Sequence, residues 1–282
     1  DAMVIAKTAL GIPDALLPVV DREPEIRAAR SLAAHRDFLT CDNTRCKNRL
    51  RSILLESCPE FEALVDLSDA SALRLMAELG GPWSVAAAGR RRAAALTRGA
   101  SRGKVDALIG SVGSSTKPDA AAIAAEDRAV KFLARRIAEN ASELDAATAA
   151  ISALLERDAT YRCLLTIPGV GPKTASELAI SINIDDFPSH DRLASYCGLA
   201  PRNRQSGTSV SSVSASRQGN KRLKNLLIFS CNCLARTDGR WGEYYARCRE
   251  RGMPHGKALK AVARKRLKVI YAVMRDKVPY VA

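Results

Sequence analysis

Histidine, aromatic side chains and long apolar runs are all scarce in this 282-residue chain, and each shortage removes a class of answer. His35, His190 and His255 are its three histidines, so an active site built on imidazole has little to draw on. The eight cysteines are scattered and form no pair of CxxC knuckles, which argues against a zinc site. No signal-peptide pattern accompanies them, and they read as reduced thiols of a cytoplasmic protein. No run of about 18 apolar residues occurs, so a membrane-spanning helix is not expected. Aromatics make up 5% of the residues while hydrophobic residues reach 47%, a balance that suits Ala- and Leu-rich helical packing better than a β-sandwich.

Acidic residues are nearly missing from one region. Between Pro201 and Ala282 there are 19 lysines and arginines against 4 aspartates and glutamates, leaving 25 and 26 for Asp1 to Ala200. The net charge of +14 therefore belongs entirely to the last third. An excess so concentrated is the footprint of a polyanion partner, with a solvated basic face as the alternative.

The opening run Asp1 to Lys7 reads as a helical turn, ended by Gly11-Ile12-Pro13. Leu32, Leu39, Cys46 and Ile53 recur every seven residues, as do Ile123, Val130, Ile137, Leu144 and Ile151. Two such stripes predict an antiparallel coiled-coil hairpin, extendable by a second protomer. Between them lies a less regular insert, broken at Gly80-Gly81-Pro82 and by a loop over 111–118. Lys221 to Arg236 and Lys257 to Arg275 read as amphipathic basic helices, with Trp241, Tyr244 and Tyr245 between them as core or stacking residues.

Two stretches carry chemistry. Leu164 to Ala175, with Ile167-Pro168-Gly169-Val170-Gly171 at its centre, resembles a helix-hairpin-helix element. Gly169 and Gly171 make its turn, and the helix starting at Pro172 or Lys173 offers free backbone N–H groups to a nucleic-acid phosphate. An ordinary tight helix connection would use the same residues. The second stretch runs from Gly198 through Arg202, Arg204, Ser206 and Gly207 to Arg217, Gly219, Asn220, Lys221 and Arg222. Its arginines and lysine can hold phosphates, its glycines admit a bulky group, and the Ser206 hydroxyl is a candidate nucleophile. On the residues alone, Ser206 reads better as one of several loop serines than as a nucleophile.

Ile167 to Gly171, the run Tyr196-Cys197-Gly198-Leu199-Ala200-Pro201, Ser206-Gly207 and Ser216-Arg217-Gln218-Gly219-Asn220 resemble the C-terminal domain of insertion-sequence-110 group transposases. The resemblance implies a DEDD transposase with an added catalytic serine: a RuvC-like α/β domain, a coiled-coil region and a helical C-terminal domain. On this chain it implies a mainly α fold. Residues 1–20 would be the tail of the RuvC-like domain, 21–159 the coiled-coil region with its insert, and 160–282 the transposase domain.

Asp1 would be the fourth acidic residue of the Mg²⁺ site, with three others upstream of residue 1. Ser206 would attack a phosphodiester, and Arg202 and Arg204 would stabilise the developing charge. DNA, a bridging non-coding RNA and a second copy of the chain are the implied partners, at the nucleoid of a prokaryote and away from the membrane. A nucleic-acid-binding remnant without strand cleavage and a helix-hairpin-helix repair accessory factor are the rival readings.

The charge asymmetry yields a direct test. A fragment from Tyr161 to Ala282 is expected to bind nucleic acid with an affinity that falls steeply as salt rises. Filter binding across a salt series measures it. A flat response, or equal binding by residues 1–158, would contradict the assignment.

Overall fold

Proline and glycine cut the chain into helices. In the computed structural model, residues 1–12, 23–97, 102–206, 210–215 and 219–281 are described, and thirteen helices occur among them. The first is α1 (Ala2–Gly11), longer than the helical turn expected there, and it has no buried residue. Next come α2 (Pro24–Ser57), α3 (Pro59–Leu64), α4 (Ala70–Leu79), α5 (Pro82–Leu96) and α6 (Arg102–Gly110). They are followed by α7 (Ala120–Leu154), α8 (Ala159–Leu165), α9 (Pro172–Ser181) and α10 (His190–Tyr196). The last three are α11 (Lys221–Leu234), α12 (Arg240–Glu250) and α13 (His255–Asp276). Proline opens α2, α3, α5 and α9, where its missing N–H costs nothing. Asp69, Asp119 and Asp158 cap α4, α7 and α8 through their carboxylates.

The two long helices α2 and α7 lie antiparallel. Asp42 accepts hydrogen bonds from Asn140 (2.9 Å) and Arg136 (3.2 Å), and at the far end Ser57 donates to Glu126 (2.8 Å). Those bonds, Asn140's first, hold the Asp42 carboxyl below its ordinary pKa. Asn140 is buried, so the Asp42 bond also satisfies an amide that would otherwise be stranded. Leu39, Val130, Ile137 and Ile151 from the seven-residue stripes are buried, while Cys46, Ile53, Ile123 and Leu144 are half-buried.

The insert departs from the irregular stretch expected. Four helices, α3 to α6, and a 3-10 turn over Ser111–Ser114 stand in its place, and they enclose a core of their own. Phe61, Leu67, Leu75, Met76, Val85 and Leu108 pack there against Leu50 and Leu54 of α2 and Val130 to Ile137 of α7. The helices are short because Gly80, Pro82 and the left-handed Gly89 interrupt them, and short helices never build up a legible period.

A second core gathers the helices that follow α7. Apolar side chains of α8 to α13 meet Ile26, Ala29 and Ala33 of α2 and Ile151 of α7. At its centre runs α13, whose Leu259, Val262, Leu267, Ile270 and Val273 are buried as the sequence predicts. Each such side chain contributes roughly 2 kcal/mol by leaving water. Trp241 is core, whereas Tyr244 and Tyr245 are half-buried at its edge.

One element has no precedent in the sequence reading. Strands β1 (Pro201–Ser206) and β2 (Val210–Ala215) form an antiparallel hairpin in which Arg202 pairs with Ser214, Arg204 with Ser212 and Ser206 with Val210. The fold remains mainly α.

Ile137 lies on α7 with 1% of its surface exposed, inside the insert's core. Ile137→Asp is expected to lower unfolding free energy by about 3 kcal/mol or more, since it buries an unpaired charge. Chemical denaturation measures the loss, and an unchanged midpoint would mean that the α2–α7 seam lies elsewhere.

Candidate nucleic-acid interface and serine hairpin

The hairpin that carries Ser206 is anchored where its two flanks converge. Before it, α10 ends at Cys197, and the amides of Leu199 and Ala200 both bond the carbonyl of Ala194 (2.8 and 3.2 Å). After it, Gly219 has φ +96°, a left-handed backbone that side-chain-bearing residues avoid. A Cβ there would also lie 2.7 Å from the Tyr196 carbonyl and 2.8 Å from the Gly198 nitrogen. The next amide, Asn220 N–H, bonds that same Tyr196 carbonyl at 2.7 Å. Asn220 then caps α11 by accepting from the amides of Arg222 and Leu223. The segment from 199 to 219 thus leaves and returns at one point.

Within it, Arg202, Arg204 and Ser206 occupy alternate positions of β1, the period that defines one face of a strand. Gly207 and Arg217, also singled out by the sequence, lie outside the described residues.

The glycine turn between α8 and α9 is exposed at Pro168, Gly169, Gly171 and Lys173. Gly169 has φ +73°, and a Cβ on it would strike the Leu234 side chain at 2.7 Å. Gly171 stands at the N-cap of α9 without a side-chain cap, followed by Pro172. The first amides of α9 therefore have no carbonyl within their own helix to bond.

Helix α11 joins the two stretches. At its start Arg222 reaches Asp37 of α2 (2.8 Å) and Glu177 of α9 (2.6 Å). Glu177 is buried and also meets the buried Arg36 of α2 at 3.3 Å. Desolvation is the main influence on Arg36 and lowers its pKa, while Glu177 pulls the other way. Arg222, proposed from sequence as a phosphate ligand, thus has both terminal nitrogens on carboxylates, whereas Lys221 beside it is exposed. About 14 Å further along α11, Ser230 donates to the Gly169 carbonyl at 2.6 Å. Sequence reading missed Glu177 and Ser230, because neither belongs to a local motif.

Asp1 lies apart from this assembly, at the N-cap of α1, without a side-chain capping bond. Among the described residues no three His, Cys, Asp or Glu side chains cluster to hold a metal. Asp1 alone would hold Mg²⁺ poorly, since the ion usually needs a second carboxylate or a bound phosphate. Among the described residues, no helix is long and apolar enough to cross a membrane.

The exposed glycine turn and the serine hairpin both fall within the residues that match a family model. Residues 161–246 match the Transposase IS116/IS110/IS902 family. Over 98% of its length the chain is 32% identical to the 43.6 kDa protein of insertion element IS110 from Streptomyces coelicolor, covering 70% of that relative. It is 30% identical, with the same two coverages, to the 44.8 kDa protein of insertion element IS116 from Streptomyces clavuligerus. A pilin gene-inverting protein of Moraxella bovis is 35% identical over 125 residues, 42% of this chain and 37% of that protein. The chain belongs to the IS116/IS110/IS902 family of transposases.

The buried Arg36–Glu177–Arg222 network sets the expected cost of disturbing this site. Glu177→Gln is expected to destabilise the protein by about 3 kcal/mol, because it leaves the Arg36 guanidinium buried without its counter-ion. Urea denaturation at neutral pH reads this directly. A loss below about 1 kcal/mol would mean that the network behaves as a solvated surface pair.

Proposed function

We propose that the chain carries the nucleophile of the strand-cutting and rejoining step of transposition, Ser206. The observation that carries this reading is the anchored hairpin, which sets Arg202, Arg204 and Ser206 at alternate positions of one strand. In the proposed step the Ser206 oxygen forms a bond to a DNA phosphorus, and the bond from that phosphorus to a deoxyribose oxygen breaks. The serine proton passes to water, and the released sugar oxygen takes a proton from water. The covalent phosphoserine keeps the energy of the broken linkage. A second DNA end then reverses the step by attacking with its own hydroxyl. Arg202 and Arg204 stabilise the charge that grows on the phosphate oxygens.

The glycine turn with Lys173, together with Lys221 and Arg217, binds the DNA backbone without reading its sequence. The family resemblance supports a bridging non-coding RNA as the element that selects donor and target. Phe38, Leu55 and Phe132, exposed on the α2–α7 pair, support assembly of two or more copies through that pair. The gene-inverting name of the Moraxella relative accords with a cut-and-rejoin reaction. The acidic residues of the DEDD set and their Mg²⁺ belong to the same proposal, but no step here runs through them.

The rival reading, nucleic-acid binding without cleavage, draws on the finding that among the described residues no three His, Cys, Asp or Glu side chains cluster to hold a metal. Trapping a protein–DNA adduct under denaturing conditions, in a protein that also carries the acidic set and with DNA carrying the ends of the element, distinguishes the two. Ser206→Ala is expected to abolish the adduct while DNA affinity stays within about threefold, since alanine removes one oxygen and no cation. Ser212→Ala is expected to be far milder. An adduct that persists in Ser206→Ala would reassign the nucleophile, and binding with no adduct in a protein that also carries the acidic set would favour the rival.

A further inference from the structure

Arg266 is the largest of the fully buried side chains, and its contacts are unusual for a guanidinium. Only 1% of it is exposed. One terminal nitrogen, Nη2, donates to the Pro168 carbonyl at 2.8 Å. The other, Nη1, donates to Ser230 Oγ at 2.8 Å and approaches Cys231 Sγ at 3.5 Å. Its Nε has no hydrogen-bond partner, and among the described residues no carboxylate pairs with it. Burial raises the Cys231 pKa, so that thiol stays neutral near pH 7 and supplies no counter-charge. A buried cation ordinarily has a carboxylate beside it, because desolvating it alone is costly.

The position of this charge identifies the missing partner. Arg266 lies under the exposed turn from Pro168 to Gly171. It holds the Pro168 carbonyl directly and, through the Ser230 hydroxyl that donates to Gly169 O, the next carbonyl as well. In a trans peptide the C=O and the following N–H point opposite ways, so drawing the Pro168 carbonyl inward turns the Gly169 N–H outward. The Val170 amide is already used by the Ile167 carbonyl at 3.0 Å. Gly169 N–H, the uncapped start of α9 and the exposed Lys173 therefore share the outer side of the turn. Outward amides at a helix start with a positive charge behind them are an anion-binding arrangement.

We propose that Arg266 is a positioning residue for nucleic-acid binding: it fixes the Pro168–Gly171 turn with its amides outward, and its charge is neutralised by one backbone phosphate bound on that turn. This rests on the nucleic-acid reading given above and adds the residue and the contact that carry it.

The test uses the full chain and a short DNA duplex of arbitrary sequence. In the ¹⁵N-labelled wild type, titration with the duplex, and separately with inorganic phosphate, is expected to shift the Gly169 amide resonance. The Arg266→Gln variant is expected to bind the duplex about tenfold more weakly, with the slope of log affinity against log salt reduced by about 0.9. Arg266→Lys keeps the charge and is expected to keep most of the slope while losing affinity. A purely structural role would lower the melting temperature and leave the salt slope untouched. A silent Gly169 amide, or a folded Arg266→Gln protein with wild-type slope, overturns the inference while leaving the nucleic-acid reading intact. If Arg266→Gln does not fold, the wild-type amide titration alone decides. A wild type that binds no duplex at all overturns both.

Discussion

Burial of α13 is the constraint on which the C-terminal half depends. This 22-residue helix packs against α8, α10, α11 and α12, and its apolar stripe fills the middle of their shared core. The elements that carry candidate chemistry gain their positions from it. Tyr271 donates to the Phe187 carbonyl just before α10, and Arg266 and Leu267 on neighbouring positions face the glycine turn and the core. Removing the helix would leave both the turn and the hairpin's anchor without a floor.

Helix α11 then acts as a strut between the glycine turn and the serine hairpin. Its Asn220 cap fixes the return of the serine hairpin, and its Ser230 bonds the glycine turn. Glu177, between Arg36 and Arg222, ties this strut to α2 and α9 at the same time. A buried ion network of this kind adds little net stability, but the cost of an unpaired member discourages alternative packings. The proposed phosphoryl chemistry would depend on such fixity, because groups that stabilise developing charge help most when they need not reorganise. The half-exposed Arg222 can still add to the positive field of the region without leaving its carboxylates.

Much of the helical frame was legible because its periods are long and clean. The α2 and α7 stripes, the buried side of α13 and the turn at Pro168–Gly171 all follow from local pattern. The insert was not legible, since its helices of 6 to 15 residues are too short or too interrupted to show a period. The hairpin was hidden for another reason. Residues 201–215 mix arginine, serine and asparagine with few β-formers, so the strand state is set by pairing across the hairpin rather than by propensity.

The sequence by itself determined the mainly helical class, the charge asymmetry, the family and the local motifs around Gly169 and Ser206. All of these are written in neighbouring residues. Tertiary structure decided what the cations do. Arg222 and Arg266 both read as members of a basic face, yet one is held by Asp37 and Glu177 and the other is buried beneath a turn 98 residues away in the chain. A charged residue within an apolar stripe, Arg266 between Val262 and Ile270, was the one local sign of this. The reason is physical: charge is a property of the residue, but its partner is set by packing between helices far apart in sequence, which no local pattern encodes.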